Sequence, residues 1–304
     1  MPADTALRLP TVAYCGIGDE AALGITGQIE AVTALGWRSL ELRTVDGTAL
    51  ADLPEADFEQ VVGQLADAKL SVAAVDSRIG GWSRPVTGDF AEDLREWEVL
   101  ARRCQVLGTR WIRVMSYPNA GLDEEAWGRE AIRRISALAE RAADAGLVLL
   151  HENCSGWAGD DASRALRLLE AAGEDGFGLL FDTGNGAAYG YSGYRMLTEL
   201  LPHVRHVHLK DASGSGPRPV YRPPGAGELE LARCLRLLLG QGYQGVLSIE
   251  PHLAVRPHEA YRAEPEACRA AFLDCGAALR SLLDDEVLPG TAGWRSTAAG
   301  LERA

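Results

Sequence analysis

Four short apolar runs in the second half of the chain each carry, at or near the end, a side chain able to bind a cation. The run 147–152 (LVLLHE) closes on Glu152, 177–182 (FGLLFD) on Asp182 and 245–250 (GVLSIE) on Glu250, while 204–211 (VRHVHLKD) carries His208. Runs of this length predict buried strands, along which alternate side chains share a face. Similar runs at 11–15, 37–42, 71–76 and 111–115 predict four earlier strands. Between them, apolar residues recur at helical spacing near 21–35, 58–69, 89–107, 123–145, 162–171, 194–201, 229–239 and 264–283. Gly108 and Gly146 stand where two of these helices should stop.

Alternation of this kind implies parallel strands joined by crossover helices, and eight units are what a closed barrel needs. The prediction is an α/β fold, a single (β/α)8 TIM barrel of parallel strands and outer helices over residues 1–285. A doubly wound open sheet is the rival. It would need a phosphate loop after the first strand, and neither G-x-G-x-x-G nor G-x-x-x-x-G-K-[ST] occurs there. Segment 286–304 has small residues and no clear period, and reads as a peripheral or disordered tail whose one docking residue is Trp294.

Composition narrows the class. With 304 residues, 47% hydrophobic and 24% charged, the chain resembles an ordinary globular enzyme able to bury a large core. A net charge of -13 opposes binding to nucleic acid, and no apolar run reaches the length of a membrane span. The six cysteines lack the spacing of a metal site or a disulfide framework, which points to the cytoplasm. The expected partner is a small molecule, and the sequence is compatible with a homo-oligomer.

At the C-terminal mouth of a barrel, Glu152, Asp182, His208 and Glu250 would project inward together. Three carboxylates and an imidazole at one place repel unless a positive charge sits among them, and a divalent metal ion is the economical answer. Taken singly, each acid could equally cap a helix or form an ion pair; all four together argue against that. Lys210 shares a face with His208, and Glu41 ends the second strand; either binds substrate hydroxyls or closes a structural ion pair. His206 reads as barrel core, His151 as packed beneath a helix or a hydrogen-bond partner, and His252 as a loop residue near substrate. Loops after the strands hold Trp82, Tyr117, Trp157, Tyr189, Tyr191 and Tyr221, although aromatics make up only 7% of the chain. They either stack on a sugar or an appended group, or pack their own loops.

The motifs LLHEN at Glu152, LLFDTGN at Asp182, HVHLKD at His208 and LSIEP at Glu250, with PPGAGELE after His208, resemble the xylose-isomerase-like TIM-barrel superfamily. The closest branch is the sugar phosphate isomerase/epimerase group with the D-tagatose 3-epimerase relatives. The resemblance implies that Glu152, Asp182, His208 and Glu250 hold one divalent ion, manganese first and cobalt, magnesium or zinc next. It also implies that the enzyme interconverts a hydroxy-ketone. Glu152 and Glu250, from opposite sides, would move the proton through a metal-bound enediolate. Many relatives carry histidine three residues after the aspartate; here Asn185 keeps a contact to a substrate hydroxyl but no ionic role. The arginine many relatives carry after HLKD falls to Arg222, with Arg218 as the alternative, or to neither.

The remaining substrate-binding candidates are Lys210, Glu41, Trp82, Trp157 and His252. A dehydratase, lyase or deglycosylating enzyme acting on an oxo-glycoside or natural-product intermediate would use the same residues. A repair-type endonuclease would need histidines at earlier strand ends, where this chain has Asp76, Met115 and Ser116, and no histidine precedes His151. A non-catalytic binding barrel is the third class, disfavoured by four intact ligand positions.

Overall fold

A computed structural model describes residues 10–304. Eight parallel strands follow one another along the chain: β1 (Val12–Gly16), β2 (Ser39–Leu42), β3 (Ser71–Asp76), β4 (Trp111–Ser116), β5 (Val148–Gly156), β6 (Phe177–Asp182), β7 (Val204–Leu209) and β8 (Gly245–Ile249). Each hydrogen-bonds to its sequence neighbours from β2 through β8, and β8 pairs with β1 in parallel from Val12↔Gly245 to Gly16↔Ile249. A parallel bridge between Ile17 and Glu41 joins the remaining sides of β1 and β2. The architecture is therefore the expected parallel barrel.

Helices cover its outside: α1 (Ile25–Ala34), α2 (Glu55–Ala68), α3 (Phe90–Leu107), α4 (Glu124–Asp144), α5 (Ala162–Ala172), then, after the short α6 (Asn185–Tyr189) at the mouth, α7 (Gly193–Leu200), α8 (Leu231–Gly240) and α9 (Pro265–Leu282). Their starts follow local chemistry. Asp89, Asp123, Asp161 and Ser192 each accept a backbone N–H from the first turn of α3, α4, α5 and α7. Gly108, left-handed at φ 72°, ends α3. In α4, Ala131, Ile135, Leu138 and Ala142 are buried at helical spacing, so this stripe packs on the barrel. Helix α1 begins at Ile25 rather than near 21, because 18–20 form a single 3-10 turn. No helix of the described residues is long and apolar enough to cross a membrane.

The segment expected to be a peripheral or disordered tail is instead a hairpin, β9 (Trp294–Thr297) and β10 (Gly300–Arg303). The β1 and β2 strands meet only at their C-terminal ends, which leaves the early residues of β1 without a partner on that side. Strand β10 fills the seam, antiparallel to β1 with Val12↔Leu301 and Ala13↔Gly300. Leu301 is fully buried, and the buried Trp294 donates from Nε1 to the Leu239 carbonyl at 3.1 Å. The periodicity is weak because each strand has only four residues and the turn needs small ones.

Two buried large side chains contribute about 1.5–3 kcal/mol each, and deletion also strips the β1 edge of partners. A chain ending before Thr291 is therefore expected to melt on the order of 10 °C below the full chain, read by circular dichroism. Coincident melting curves would return the segment to a peripheral role.

Candidate active site

The candidate side chains come from four neighbouring strand ends. Glu152 lies in β5, Asp182 closes β6, His208 lies in β7 and Glu250 directly follows β8. One ligand atom from each falls within 4.8 Å of the others, and all four residues are buried. His208 Nδ1 lies 3.2 Å from Glu250 and 3.8 Å from Glu152. Three atoms of the cluster, Asp182 Oδ2, His208 Nδ1 and Glu250 Oε2, have no hydrogen-bond partner although buried. Lys210 Nζ lies 2.9 Å from that Asp182 oxygen and 2.7 Å from that Glu250 oxygen, as an ion pair with both. Two buried carboxylate oxygens and one imidazole nitrogen without hydrogen-bond partners, converging with a fourth donor residue, fit a divalent cation, which would displace any proton on the imidazole.

The helix-cap reading of Asp182 holds for half of its carboxylate. Oδ1 accepts N–H bonds from Gly184 and Asn185, both at 2.7 Å, while Oδ2 faces the cluster. Gly184 is required in this turn, since a Cβ there would stand 2.3 Å from the Lys210 Cβ. Asn185 then donates to Glu152 Oε1 at 3.0 Å and accepts from Lys210 at 3.1 Å.

Cations balance the acids. Arg43 reaches Glu250 Oε1 at 2.9 Å and Asp19 at 2.8 Å, and Arg113 lies 3.4 Å from both Glu152 and Asp76. Burial alone would raise the Glu152 pKa, but Arg113 and His208 outweigh it and lower it to about 2. Burial is likewise outweighed at Glu250, chiefly by Lys210, and its carboxyl lies well below the usual range. At Lys210 and His208 burial favours the neutral form, yet the surrounding carboxylates raise both well above their ordinary values. Burial wins at Asp76, which rises to about 7 despite Arg113.

A second layer holds the first in place. Glu41 is wholly buried beneath the cluster and bonds His206 Nε2 and His208 Nε2, each at 2.9 Å. This turns His208 Nδ1 toward the acids. Glu41 is thus in the ion-pair position and does not line the cavity, which corrects its reading as a substrate-binding residue. His206 is barrel core with a partner. His151 points to the outer side of β5 and stacks on Phe177. His252 adopts a left-handed backbone (φ 54°), held by Glu20, which takes its N–H at 2.8 Å and meets Nδ1 at 2.8 Å.

Above the cluster opens a cavity of about 950 Å³, lined among others by Asn185, Lys210, His252 and Trp82. Two other expected contacts are absent from it. Arg222 belongs to a two-stranded ribbon pairing 211–213 with 220–222, in which Tyr221 faces the cavity; alternation sends exposed Arg222 away, and Arg218 is exposed too. Trp157 is buried against Gly128 of α4, where a Cβ would stand 2.7 Å from its ring, and donates to Glu124 at 3.0 Å. Of the other loop aromatics, Tyr189 lines the cavity, Tyr117 is core, and the Tyr191 hydroxyl donates to the Asn153 carbonyl at 2.8 Å.

Sequence reading missed Arg43, Arg113, Asp19 and Glu20. Arg113 had a visible signal, a charged residue inside the apolar strand WIRVMS; Asp19 and Glu20 sit in the 3-10 turn 18–20 and Arg43 just after β2, with none.

Because Glu41 serves two buried imidazoles at once, Glu41→Gln, with one acceptor oxygen left, is expected to lose about 2 kcal/mol or more of stability. The measurement is the urea midpoint. A variant that unfolds with the wild type would mean that Glu41 does not bind both rings.

A family model described as "Xylose isomerase-like TIM barrel" matches residues 29–271. Among curated proteins, the chain is 29% identical over 145 residues to the rhizopine catabolism protein MocC of Rhizobium meliloti, covering 43% of each. It is 25% identical over 146 residues to an inosose dehydratase of Clostridium perfringens, covering 42% of this chain and 48% of that protein. The matches thus span under half the length of these curated relatives. Among solved structures, a D-tagatose 3-epimerase-like protein superposes with a TM-score of 0.70 at 16% identity, covering 90% of this chain and 97% of the other.

Proposed function

The chain belongs to the xylose isomerase-like TIM-barrel family, and from that premise we propose a divalent-metal-dependent isomerase or epimerase of a sugar or sugar-like hydroxy-ketone. The observation that carries the reading is the convergence of Glu152, Asp182, His208 and Glu250, with three of their buried atoms unsatisfied. These residues would hold the ion, with manganese the proposed one. When bound, it would supply Lewis-acid polarisation of the substrate carbonyl, making the neighbouring C–H acidic.

The chain's own groups do the rest. Glu152 on β5 and Glu250 after β8 flank Asp182 and His208, so they approach a substrate from two sides. One carboxylate takes the proton from the carbon beside the carbonyl, and the other, after taking up a proton from solvent, returns it to the opposite face, which inverts the centre and leaves the first acid protonated for release. Return to the neighbouring carbon gives isomerisation. Arg113 and Arg43 hold the two acids in position. Lys210 Nζ stands where it can donate to a developing oxyanion. Asn185 and His252 line the same cavity and bind hydroxyls.

The inosose dehydratase match favours a second reading on the same residues. After proton removal by one glutamate, the enolate expels the hydroxyl on the next carbon, which leaves as water with a proton from Lys210. A lyase or deglycosylating step differs only in the group expelled.

Protein refilled with manganese is expected to retain close to one equivalent per chain by elemental analysis, and Asp182→Asn distinctly less. No retained metal after refilling sinks the site. In deuterated water, the carbon beside the carbonyl should become labelled in product. Glu250→Gln keeps an oxygen ligand but cannot accept the proton, so turnover should fall about 10²–10⁴-fold, while exchange through Glu152 can persist. Wild-type turnover in that variant, or unlabelled product, would refute the two-base scheme.

A further inference from the structure

The charged cluster occupies only the floor of the cavity. Above it the walls change character, and they do so along one line. His252 Nε2 lies 3.8 Å from Glu250; its ring centre is 5.3 Å from that of His258, which in turn lies 6.0 Å from Trp82 at an edge-on angle. Tyr221 packs edge-on to His252 at 5.1 Å. Rings therefore run continuously from the acids to the rim. Of the seven large hydrophobic side chains exposed among the described residues, four line this one cavity: Leu23 (46%), Trp82 (47%), Tyr189 (42%) and Tyr261 (42%). Apolar residues scattered over a surface need no explanation, but a ring of them around one mouth marks a binding surface.

The volume points the same way. Pockets for drug-sized ligands span about 300–1,000 Å³, so 950 Å³ is far more than one sugar ring fills. The cations of the lining are all engaged: Arg43 with Asp19, Arg78 with Asp52, Arg113 with Asp76, Lys210 with Asp182, and Arg262 with the Asp19 carbonyl at 2.6 Å. The extra space thus offers no ready partner for a phosphate. It offers aromatic faces and edges.

We propose that the outer half of the cavity is a subsite for a flat aromatic group joined to the sugar, so that the substrate class is an aryl oxo-glycoside or a similar keto-sugar conjugate rather than a free or phosphorylated sugar, with simple aryl glycosides as binding probes of the subsite. This rests on the reading of the floor as a hydroxy-ketone site. The sugar sits over Glu152, Lys210 and Glu250, and the aryl group extends past His252 and His258 to Trp82.

The test uses the manganese-loaded full chain and two probes, phenyl β-D-glucopyranoside and methyl β-D-glucopyranoside, in isothermal titration. The phenyl compound is expected to bind about tenfold tighter or better, and Trp82→Ala should bring that ratio close to one. Equal affinities, no binding of either probe, or a preference untouched by Trp82→Ala overturns the subsite. Sedimentation velocity on the same samples detects the other occupant, a second copy of the chain: a wild-type dimer that Trp82→Ala dissociates, with no aryl preference, assigns the rim to self-association and overturns the proposal. Metal content and solvent exchange with D-tagatose are read separately. Loss of those with the aryl preference intact refutes the chemistry of the floor and leaves the subsite standing.

Discussion

Everything at the mouth of this barrel depends on compensating three buried carboxylates whose oxygens converge within 4.8 Å of one another and of one imidazole nitrogen. Taking even one such ion out of water costs several kcal/mol, and pairing it in the interior does little more than break even. The cluster therefore does not stabilise the fold; the fold is arranged to tolerate it. Lys210 sits between Asp182 and Glu250, Arg43 and Arg113 approach from the two flanks, and Glu41 offsets the charge of His208 from below. Removal of any one of these partners leaves a buried charge without compensation, which is far costlier than the pair is worth. A divalent ion would relieve the same repulsion more completely, because it meets several lone pairs at once where an ammonium offers only three hydrogens.

The backbone shows the same constraint. Gly184 lets β6 turn against Lys210 so closely that no side chain fits between them. His252 takes a left-handed conformation that bulky residues avoid, and Glu20 bonds both its N–H and its ring to hold it there. Strain of this kind persists where the surroundings over-determine it. Here the surroundings are a second ring of acids, Asp19 and Glu20, tied to the first through Arg43. Geometry at the floor is thus set two layers deep, as the proposed proton transfer requires, since small misplacements of a base are expensive in rate.

How much of this could be read from the sequence followed the length scale of the forces. The strands and the four converging side chains were legible, because a buried parallel strand is an unbroken apolar run and its closing residue must face the mouth. Asp182 showed why single motifs mislead: its carboxylate both caps α6 and faces the cluster. Loop residues were not legible. Arg222 and Tyr221 are neighbours, and only the pairing of 211–213 with 220–222 decides which faces the cavity. Trp157 looked like a mouth residue until Gly128, far away in sequence, made room for its ring. The 294–303 hairpin lacks a periodic signature, because its reason for existing is the seam between β1 and β2, a property of the closed barrel and not of the segment.

The floor and the rim impose different selections on a substrate. Polar groups on the floor demand oxygen atoms at fixed places, and a ligand lacking one leaves a buried charge unpaired, so discrimination there is steep. The rim makes contacts of an apolar and aromatic kind, whose energy rises with area and tolerates variation in shape. Both regions meet at His252, whose Nδ1 is fixed by Glu20 and whose ring begins the aromatic line toward Trp82. A change of appended ring could therefore be accommodated at the rim without disturbing the geometry of the acids below. Under the proposed function, the walls above the acids would set which carbon of a substrate is presented to Glu152 and Glu250.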